Sequence, residues 1–518
     1  MRTVAVAAPH PAGVELARGT VRAGGNALDA ALAAAAALTV VYPHQCALGG
    51  DLIALVRDER PGREPRTSAV VSAGTLPAGL DLDALAGSPM PRRGPVTVTV
   101  PGVVAGWTAL ARLGAELPLA EVFSRAAGLA EAEPPVSAGL ARALRDQEAA
   151  VLTDPGLRAV FAPSGAVLAE GDPVAQPALA ATLRRLAQDP ADFYRGRTAD
   201  LLAAGLRALG GTHTGEDLRA HVAEVVPALH AEVDGTDWYV APPPSQGALL
   251  LGIAEAAVAA ERAGRPDDLV AASVRGMDVR DRELGDPRTG GVDVTAMTTL
   301  SVRAGVPAPA AGRALGDTVA VTAVDDEGLA VSLIQSVFQT FGAGILEPAT
   351  GIVLHNRGAG FSTDPASPAR VQHGSRPPHT LCPVIIDTGD AVLAAGCQGG
   401  RAQPWILGQT LPGLLDARTG VELQDVLARP RWVVGARDLG HERITLVTES
   451  GAEGAAPAAR DAGAAVDHRD GFLDEAGHVQ VAVRSRRSPT LLAATDPRAD
   501  GRAAVTSQNE TAHEPETP

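Results

Sequence analysis

The chain has 518 residues, a net charge of −16 and 44 basic residues, all of them arginine. Hydrophobic residues make up 46% of it and aromatic residues only 3%. Such a chain can bury a large core, packed mainly by small aliphatic side chains, and its acidity makes it a poor binder of nucleic acid or of anionic membranes.

The first strong apolar segment runs from Asn26 to Val41 and consists almost entirely of Ala, Leu and Val. It is short for a membrane span and carries Asp29 near its start. We therefore predict a buried helix, with Asn26 as the N-cap.

Two strands are predicted in the following segment. Leu52 to Val56 is a short apolar run, and Val96 to Val100 alternates β-branched residues before Pro101. Alternation that ends at a proline is typical of a strand end.

The middle of the chain is predicted to be mainly helical. Ala and Leu recur at three- and four-residue spacing from Leu117 to Leu206, and Gly247 to Ala260 is a further apolar helix. Trp238 to Val240 is a short strand. The charged run from Asp281 to Pro287 is interpreted as a solvated helix end.

Two apolar runs around a Gly-containing turn predict a β-hairpin. The runs are Val319 to Val324 and Leu329 to Gln335. The hairpin follows a segment rich in Pro, Ala and Gly, and we predict that residues 303–317 form a flexible linker.

Thr318 stands at the start of this hairpin, where a hydroxyl residue suits an N-terminal nucleophile. If the Asp317–Thr318 bond is cut, Thr318 gains a free α-amino group, whose usual pKa of about 7.7–8.0 lets it serve as the base for its own hydroxyl. The alternative is an ordinary strand threonine, and the local sequence by itself favours that alternative.

The C-terminal third alternates short strands and turns up to Ala395, followed by helices at Leu407 to Leu415 and Glu422 to Leu427. Residues 497–518 are polar and aperiodic, which predicts a disordered tail. The spacing of Cys46, Cys382 and Cys397 matches no metal site, and Cys397 is interpreted as a small buried residue.

Short motifs spread along the chain overturn the local interpretation of Thr318, because together they resemble the γ-glutamyltransferase family of N-terminal-nucleophile hydrolases. The motifs are Val6–Pro11, Arg22–Ala31, Gly49–Asp51, Val100–Gly102, Pro244–Gly247, Gly342–Ile345, Asn356–Gly358 and Gly399–Gly400. The pattern by itself supports α/β or α+β. The resemblance implies an α+β fold, a four-layer αββα sandwich, autoprocessed into a large chain (1–317) and a small chain (318–518) that form one interlocked domain.

The resemblance also implies roles for particular residues. Thr318 is the nucleophile, and Ser336 is the second hydroxyl that orients it. Gly399 and Gly400 match the pair whose backbone N–H groups stabilise an oxyanion, although a plain turn is the bland alternative. Asn356 matches the buried asparagine of the family.

Other positions depart from the γ-glutamyl pattern. Phe338, Arg357 and Gly360 stand where the family has acceptors for an α-amino group, and His379-Thr380 replaces a Ser-Ser pair. Losing acceptors and gaining a guanidinium favours an acyl group that carries a carboxylate and no ammonium. This pattern resembles the branch that contains oxamate amidohydrolase and glutathione-hydrolase-like proteins. Arg357, Asn356, His379, Thr380 and Phe338 are the predicted substrate-binding residues.

The predicted function is therefore a self-cleaving amidohydrolase that forms an acyl-enzyme, with hydrolysis or transfer of the acyl group. A genuine γ-glutamyltransferase or glutathione hydrolase is the alternative, and a non-catalytic binding protein on the same frame is a second one. No metal or organic cofactor is indicated.

The expected partner is a small-molecule amide, with neither nucleic acid nor membrane. The two chains of one precursor stay together, compatible with a homodimer or a heterotetramer. Because Met1–Val4 leads directly into the family pattern, without room for a signal peptide, the sequence predicts a cytoplasmic protein.

Overall fold

A computed structural model describes residues 2–85, 87–301, 317–436 and 439–510. Most of the predicted linker, residues 303–316, and residues 511–518 of the predicted tail lie outside the described residues. The helices are α1 (Pro11–Arg22), α2 (Ala27–Val41), α3 (Val103–Arg112), α4 (Leu119–Glu131), α5 (Ala138–Asp146), α6 (Glu148–Thr153), α7 (Pro155–Phe161), α8 (Pro177–Gln188), α9 (Asp192–Arg195), α10 (Arg197–Ala208), α11 (Gly215–Ala220), α12 (Gly247–Ala263), α13 (Asp267–Glu283), α14 (Val294–Thr298), α15 (Gln403–Asp416), α16 (Gly420–Leu427) and α17 (Ala456–Asp461).

The strands build two large sheets and two small ones. They are β1 (Thr3–Ala8), β2 (Asp51–Asp58), β3 (Arg66–Ser72), β4 (Glu224–Pro227), β5 (Leu229–Val233), β6 (Thr236–Val240), β7 (Asp317–Asp325), β8 (Leu329–Phe338), β9 (Ile345–Glu347), β10 (Ile352–Leu354), β11 (Val384–Asp387), β12 (Ala391–Cys397), β13 (Trp432–Gly435), β14 (Thr445–Glu449), β15 (Ala465–Arg469), β16 (Val479–Ser485), β17 (Leu491–Thr495) and β18 (Arg502–Ser507). The first large sheet has the order β18-β1-β7-β8-β2-β3-β4, and the second has the order β17-β16-β12-β11-β6-β5.

The two large sheets pack face to face, and helices cover both outer faces. Ile53 and Ile334 from the first sheet meet Ile385 and Ala394 from the second in one buried cluster. Helices α1 to α4, α8 and α10 cover the first sheet, while α12, α13 and α15 to α17 pack against the second. The protein is therefore an α+β, four-layer αββα sandwich, as predicted.

Helix α2 lies wholly inside the helical layer over the first sheet. Every residue from Ala27 to Val41 is buried, and Asn26 caps the helix by accepting from the backbone N–H groups of Leu28 and Asp29. The Asp29 carboxylate accepts in return from the N–H of Asn26 at 2.9 Å. The reciprocal cap and the small side chains explain why this apolar segment forms a core helix. Among the described residues, no helix combines the length and apolarity that a membrane crossing requires.

The predicted strand at Val96 to Val100 is wrong. Pro95–Thr97 forms a single 3-10 turn, and the Thr97 hydroxyl donates to the carbonyl of Gly94 at 2.8 Å. The segment then runs extended and buried without joining a sheet, with one backbone bond from Val100 to Thr75. Pro95 fixes the backbone at the start of the turn. The residues from Thr97 to Val100 are all buried, so their apolar pattern reflects burial and not pairing in a sheet.

The predicted disorder from residue 497 onward is also wrong for β18. This strand pairs antiparallel with β1, from Thr3 opposite Ser507 to Ala8 opposite Arg502. Local composition cannot reveal such pairing, because the partner strand lies at the other end of the chain.

The charged run at Asp281 to Pro287 is not a solvated helix end. Glu283 and Asp286 are buried. Arg376 pairs with Asp286 at 2.9 Å, and Arg401 pairs with Asp281. Arg376 lies 90 residues from Asp286 and Arg401 lies 120 residues from Asp281 along the chain. The sequence of the run itself does not indicate these pairs.

Candidate active site

Thr318 is buried near the start of β7, at an irregularity in its pairing with β8. Asp317 lies opposite Phe338, whereas Val319 lies opposite Gln335. Two residues of β8, Ser336 and Val337, therefore face the single residue Thr318. Such a bulge re-aims side chains at one point of a sheet.

The hydroxyl groups of Thr318 and Ser336 lie within hydrogen-bonding distance of each other. The Thr318 Oγ1 donates to the Ser336 Oγ at 3.2 Å, and the Ser336 Oγ donates to the carbonyl oxygen of Asp317 at 2.5 Å. The N–H of Phe338 donates to the same Ser336 hydroxyl at 2.8 Å. A chain of two hydroxyls thus leads from Thr318 to the carbonyl of the bond predicted to be cut.

The Gly49–Asp51 turn packs directly behind this chain. A Cβ built on Gly50 would lie 2.4 Å from the carbonyl oxygen of Ser336, so a side chain has no room there. Asp51 follows as the cross-strand partner of Ser336. This close approach to β8 places the turn directly beside Ser336.

The carboxyl group of Asp317 lies in a cavity of about 250 Å³, which Thr340 and Gly399 also line. Its oxygen accepts a short hydrogen bond from the Thr340 hydroxyl. Burial raises the pKa of Asp317 to about 7; the charge of Asp474 adds to this, while the contacts with Thr340 and His478 oppose it. The folded chain therefore holds this proton far more tightly than an unfolded chain does.

This shift predicts a pH-dependent stability of the uncut chain. Stability that is fully present below an ordinary aspartate pKa of about 3.8 is lost as the pH rises through about 7. Each pKa unit corresponds to about 1.4 kcal/mol; water in the cavity screens part of this, so we expect a loss of about 2 kcal/mol. In the Thr318→Ala background, Asp317→Asn should raise the urea midpoint at pH 8 and leave it unchanged at pH 4. Identical pH profiles for the two chains would contradict this expectation.

Gly399 and Gly400 follow the end of β12, whose last paired residue is Cys397. Their φ angles are +140° and +54°, which glycine adopts without strain. The Gly400 carbonyl accepts from Gln246 Nε2 at 2.9 Å. Because the β12 ladder has ended, the two amide N–H groups lie outside it, and Gly399 lines the cavity that contains Asp317.

Asp51 is the centre of a fully buried cluster with three basic side chains. Its Oδ2 lies 3.2 Å from His355 Nδ1, 3.2 Å from His379 Nε2 and 3.4 Å from Arg357 Nε. Burial would raise the pKa of Asp51, but the contact with His355 and the hydrogen bond from His379 hold it well below its usual range. Burial and the charge of Arg357 lower the pKa of His379 to about 4, so its ring is neutral at pH 7.

Arg357 is a fully buried cation of this cluster. Burial lowers its pKa to about 10, so it stays charged at pH 7. Its Nη1 donates to the Thr380 hydroxyl at 3.3 Å, and its Cζ lies 4.1 Å from the ring centroid of Phe338. Phe338 has a positive φ of 78°, an uncommon backbone for a bulky residue at a strand end. Among the described residues, the Nη2 of Arg357 has no hydrogen-bond partner.

The Asn356 side chain holds the neighbouring loops together. Its Nδ2 donates to the carbonyl of Arg92 at 2.7 Å and to Gln339 Oε1 at 2.9 Å, and its Oδ1 accepts from the N–H of Gln339. Both N–H donors are thus used by the protein itself. Of the five predicted substrate-binding residues, Arg357, Thr380, His379 and Phe338 come together, whereas Asn356 supports the segment from which Arg357 projects.

The comparison with known families decides the membership. The model of the family described as gamma-glutamyltranspeptidase matches residues 13–506. The chain belongs to this family. It is accordingly an N-terminal-nucleophile hydrolase or acyltransferase.

Several relatives of known name cover nearly the whole chain. The oxamate amidohydrolase proenzyme of Klebsiella pneumoniae is 37% identical, over 96% of this chain and 97% of that protein. The glutathione hydrolase-like YwrD proenzyme of Bacillus subtilis is 32% identical, over 84% of this chain and 86% of that protein. Cephalosporin acylase from Bacillus halodurans, a solved structure, is 28% identical with a TM-score of 0.82, over 97% and 96% of the two chains. The predicted family and branch are confirmed.

Within this gamma-glutamyltranspeptidase frame, sequence reasoning missed three neighbours of the predicted site. Asp51 was noticed only as the end of a Gly-Gly-Asp turn, and His355 was not considered. Thr340, two residues past β8, was not considered. A lone acidic residue after two glycines, directly before a buried strand, is the one signal that pointed to Asp51.

Proposed function

We propose that this chain is a self-processing amidohydrolase whose nucleophile, Thr318, is released by cleavage of the Asp317–Thr318 bond. The observation that carries the proposal is the hydroxyl chain from Thr318 Oγ1 through Ser336 Oγ to the carbonyl oxygen of Asp317, with distances of 3.2 and 2.5 Å. The word proenzyme in the names of both relatives supports processing in this family.

Self-cleavage needs only groups that lie at this bond. The Thr318 Oγ attacks the Asp317 carbonyl carbon, and the carbonyl oxygen becomes an oxyanion that the Ser336 hydroxyl stabilises. The C–N bond then breaks as the nitrogen takes up the proton lost by the Thr318 hydroxyl. Water hydrolyses the resulting ester, which leaves a carboxylate on Asp317 and a free α-amino group on Thr318.

The same hydroxyl then works on an external amide. The new α-amino group takes the proton of Thr318 Oγ, the Oγ attacks the substrate carbonyl, and the amine leaves. Backbone N–H groups of Gly399 and Gly400 stabilise the oxyanion, because they are fixed before the reaction and need no reorganisation. Water or an amine then resolves the acyl-enzyme.

The acyl group that best fits the buried cluster carries a carboxylate. Arg357 offers an unpartnered Nη2 and a planar fork, the geometry that binds carboxylates in two parallel hydrogen bonds. The Thr380 hydroxyl, which accepts from Arg357 Nη1, keeps its own proton as a donor beside it. Oxamate carries its carboxylate directly on the amide carbon, and a 37% identical relative is named for that substrate.

A γ-glutamyl substrate is the second candidate, and one observation favours it. The Oδ1 of Asp51 has no hydrogen-bond partner among the described residues and is an acceptor for an ammonium. Against this, Asp51 Oδ2 already faces two imidazoles and Arg357, and the ring of Phe338 covers the guanidinium from another side.

The processing mechanism predicts that Ser336→Ala slows self-cleavage about a hundredfold or more, since removing one oxyanion donor typically costs ~10²–10³ in rate. Ser336→Thr keeps the hydroxyl and should still cleave. The measurement is the time course of chain cleavage by mass spectrometry. Ser332→Ala is the matched control, because Ser332 is a buried serine of the same strand whose hydroxyl donates to Ala395 instead. Cleavage of Ser336→Ala at the wild-type rate would refute the proposed role.

A further inference from the structure

The cavity beside Asp317 and Gly399 is lined by hydrogen-bond acceptors that nothing in the described chain satisfies. His44, Gln45 and Gln398 form its inner wall, and each is at most 4% exposed. The atoms without a hydrogen-bond partner among the described residues are His44 Nδ1, Gln45 Oε1 and Gln398 Oε1. A buried acceptor without a donor is destabilising, so this wall is suited to a ligand that donates.

The orientation of Gln398 is fixed by its neighbour. Its Nε2 lies 3.4 Å from Asp474 Oδ2, and a carboxylate only accepts, so the amide nitrogen faces Asp474 and Oε1 stays free. Burial lowers the pKa of His44 to about 3, so its neutral ring can offer one nitrogen as an acceptor.

The charged residues at the cavity mouth also favour a ligand that donates hydrogen bonds, because most of them are carboxylates. Asp146, Asp474 and Glu475 line it together with one guanidinium, that of Arg142. Burial opposes ionisation of Asp474, but His478 and Arg142 hold its pKa at about 2, so it is charged at pH 7. Carboxylates thus outnumber cations at an opening whose inner wall accepts hydrogen bonds.

We propose that this cavity binds the amine partner of the reaction as a small primary ammonium. The inference rests on the proposed function, in which Arg357 holds the acyl group and Asp317 marks the position of the nucleophile. None of the residues that line this cavity belongs to the Arg357–Asp51 cluster. The acyl and amine halves of a substrate therefore lie against donors on one side and acceptors on the other.

The ammonium has two sources in the reaction. When the substrate C–N bond breaks, the nitrogen receives the proton of Thr318 Oγ through the α-amino group, and the released amine gains a second proton from water. In the reverse direction an incoming ammonium loses one proton to water, and the neutral amine attacks the acyl-enzyme carbonyl. A new C–N bond forms as the Thr318 ester bond breaks, and a second proton passes from the nitrogen to Thr318 Oγ through the α-amino group.

Binding is tested first on the uncut Thr318→Ala chain, so that the result does not depend on activity. ¹³C-methylammonium is titrated by NMR, with tetramethylammonium as a cation that carries no N–H donor. We expect methylammonium to bind at least about tenfold more tightly, because only it satisfies the acceptors. Gln45→Met should weaken binding about tenfold, and Asp474→Asn about threefold, since Asp474 is partly exposed.

The matched control is Asp390→Asn, which removes a carboxylate from a different cavity and should leave binding unchanged. Equal binding of the two cations, or equal effects of Asp390→Asn and Asp474→Asn, would overturn the proposal. If methylammonium binds as expected but no amide is hydrolysed by the processed protein, the cavity stands and the proposed function fails.

The processed enzyme then separates the two sources. Methylammonium is added to the processed enzyme together with an amide substrate. If it acts as an acceptor, it yields the N-methyl amide of the acyl group. If it only occupies the site of the released amine, it inhibits hydrolysis of the substrate without being incorporated. Either result supports the site if Gln45→Met lowers the rate of transfer, or the potency of inhibition, about tenfold. Neither transfer nor inhibition up to saturating methylammonium would overturn it.

Discussion

Thr318→Ala should remain a single chain of 518 residues, while the wild type separates on a denaturing gel into residues 1–317 and 318–518. The reason is that, apart from Thr318, the one described hydroxyl in contact with the Asp317 carbonyl is that of Ser336, which donates to the oxygen at 2.5 Å. The variant therefore lacks a group that can attack the carbonyl carbon. Intact mass measurement of both chains checks the result. We expect the loss of cleavage to be complete on the timescale of the preparation.

The matched control is Thr322→Ala, four residues further along the same strand. Thr322 is equally buried, and its hydroxyl has no partner among the described residues, so the chain should still cleave. An active wild-type protein with an uncut chain would contradict the mechanism, and an uncut, inactive one would favour a non-catalytic binding protein.

Acetylating the new α-amino group should abolish turnover, because the base that activates the Thr318 hydroxyl is then blocked. Activity that acetylation does not change would mean that another base acts.

Substrate choice should follow Arg357. Glutaryl-p-nitroanilide and γ-glutamyl-p-nitroanilide share a leaving group and differ only in the α-amino group. An ammonium brought beside the buried guanidinium loses solvation without gaining enough acceptors, which costs on the order of 3 kcal/mol. We therefore expect kcat/KM for the γ-glutamyl compound to be about a hundredfold lower.

Arg357→Gln gives the same test from the side of the protein. Hydrolysis of oxamate should fall about a hundredfold, since a charge-assisted pair is lost, whereas oxamide, which is neutral, should change little and serves as the internal control. If γ-glutamyl-p-nitroanilide outperforms its desamino analogue on the wild type, the free Asp51 Oδ1 is the ammonium site and the second candidate stands.

The local sequence pattern was sufficient to predict an element where the residues that stabilise it lie close by in the sequence. The β7–β8 hairpin and helix α2 were predicted because alternation, turn residues and an N-cap all act within a few residues. Strand β8 continues to Phe338, three residues beyond the predicted end, because the bulge opposite Thr318 extends its pairing.

The parts that escaped prediction depend on contacts across the chain. Asp51, His355 and Arg357 meet only when β2 and the segment after β10 come together, and no spacing in the sequence encodes that meeting. The pairing of β18 with β1 joins the two ends of the chain. Positions such as Thr318 and Gly399 were identified through the family motifs, since their local sequence equally suits an ordinary strand and a plain turn.

The order β18-β1-β7 has a consequence for the protein if its chain is cut at the proposed Asp317–Thr318 bond. Strand β1 belongs to residues 1–317, and both of its neighbours belong to residues 318–518. A strand of the large piece therefore lies between two strands of the small piece in one sheet. Separating the pieces requires breaking the pairing of β1 with β18 and with β7, so we expect them to dissociate only when the sheet itself unfolds.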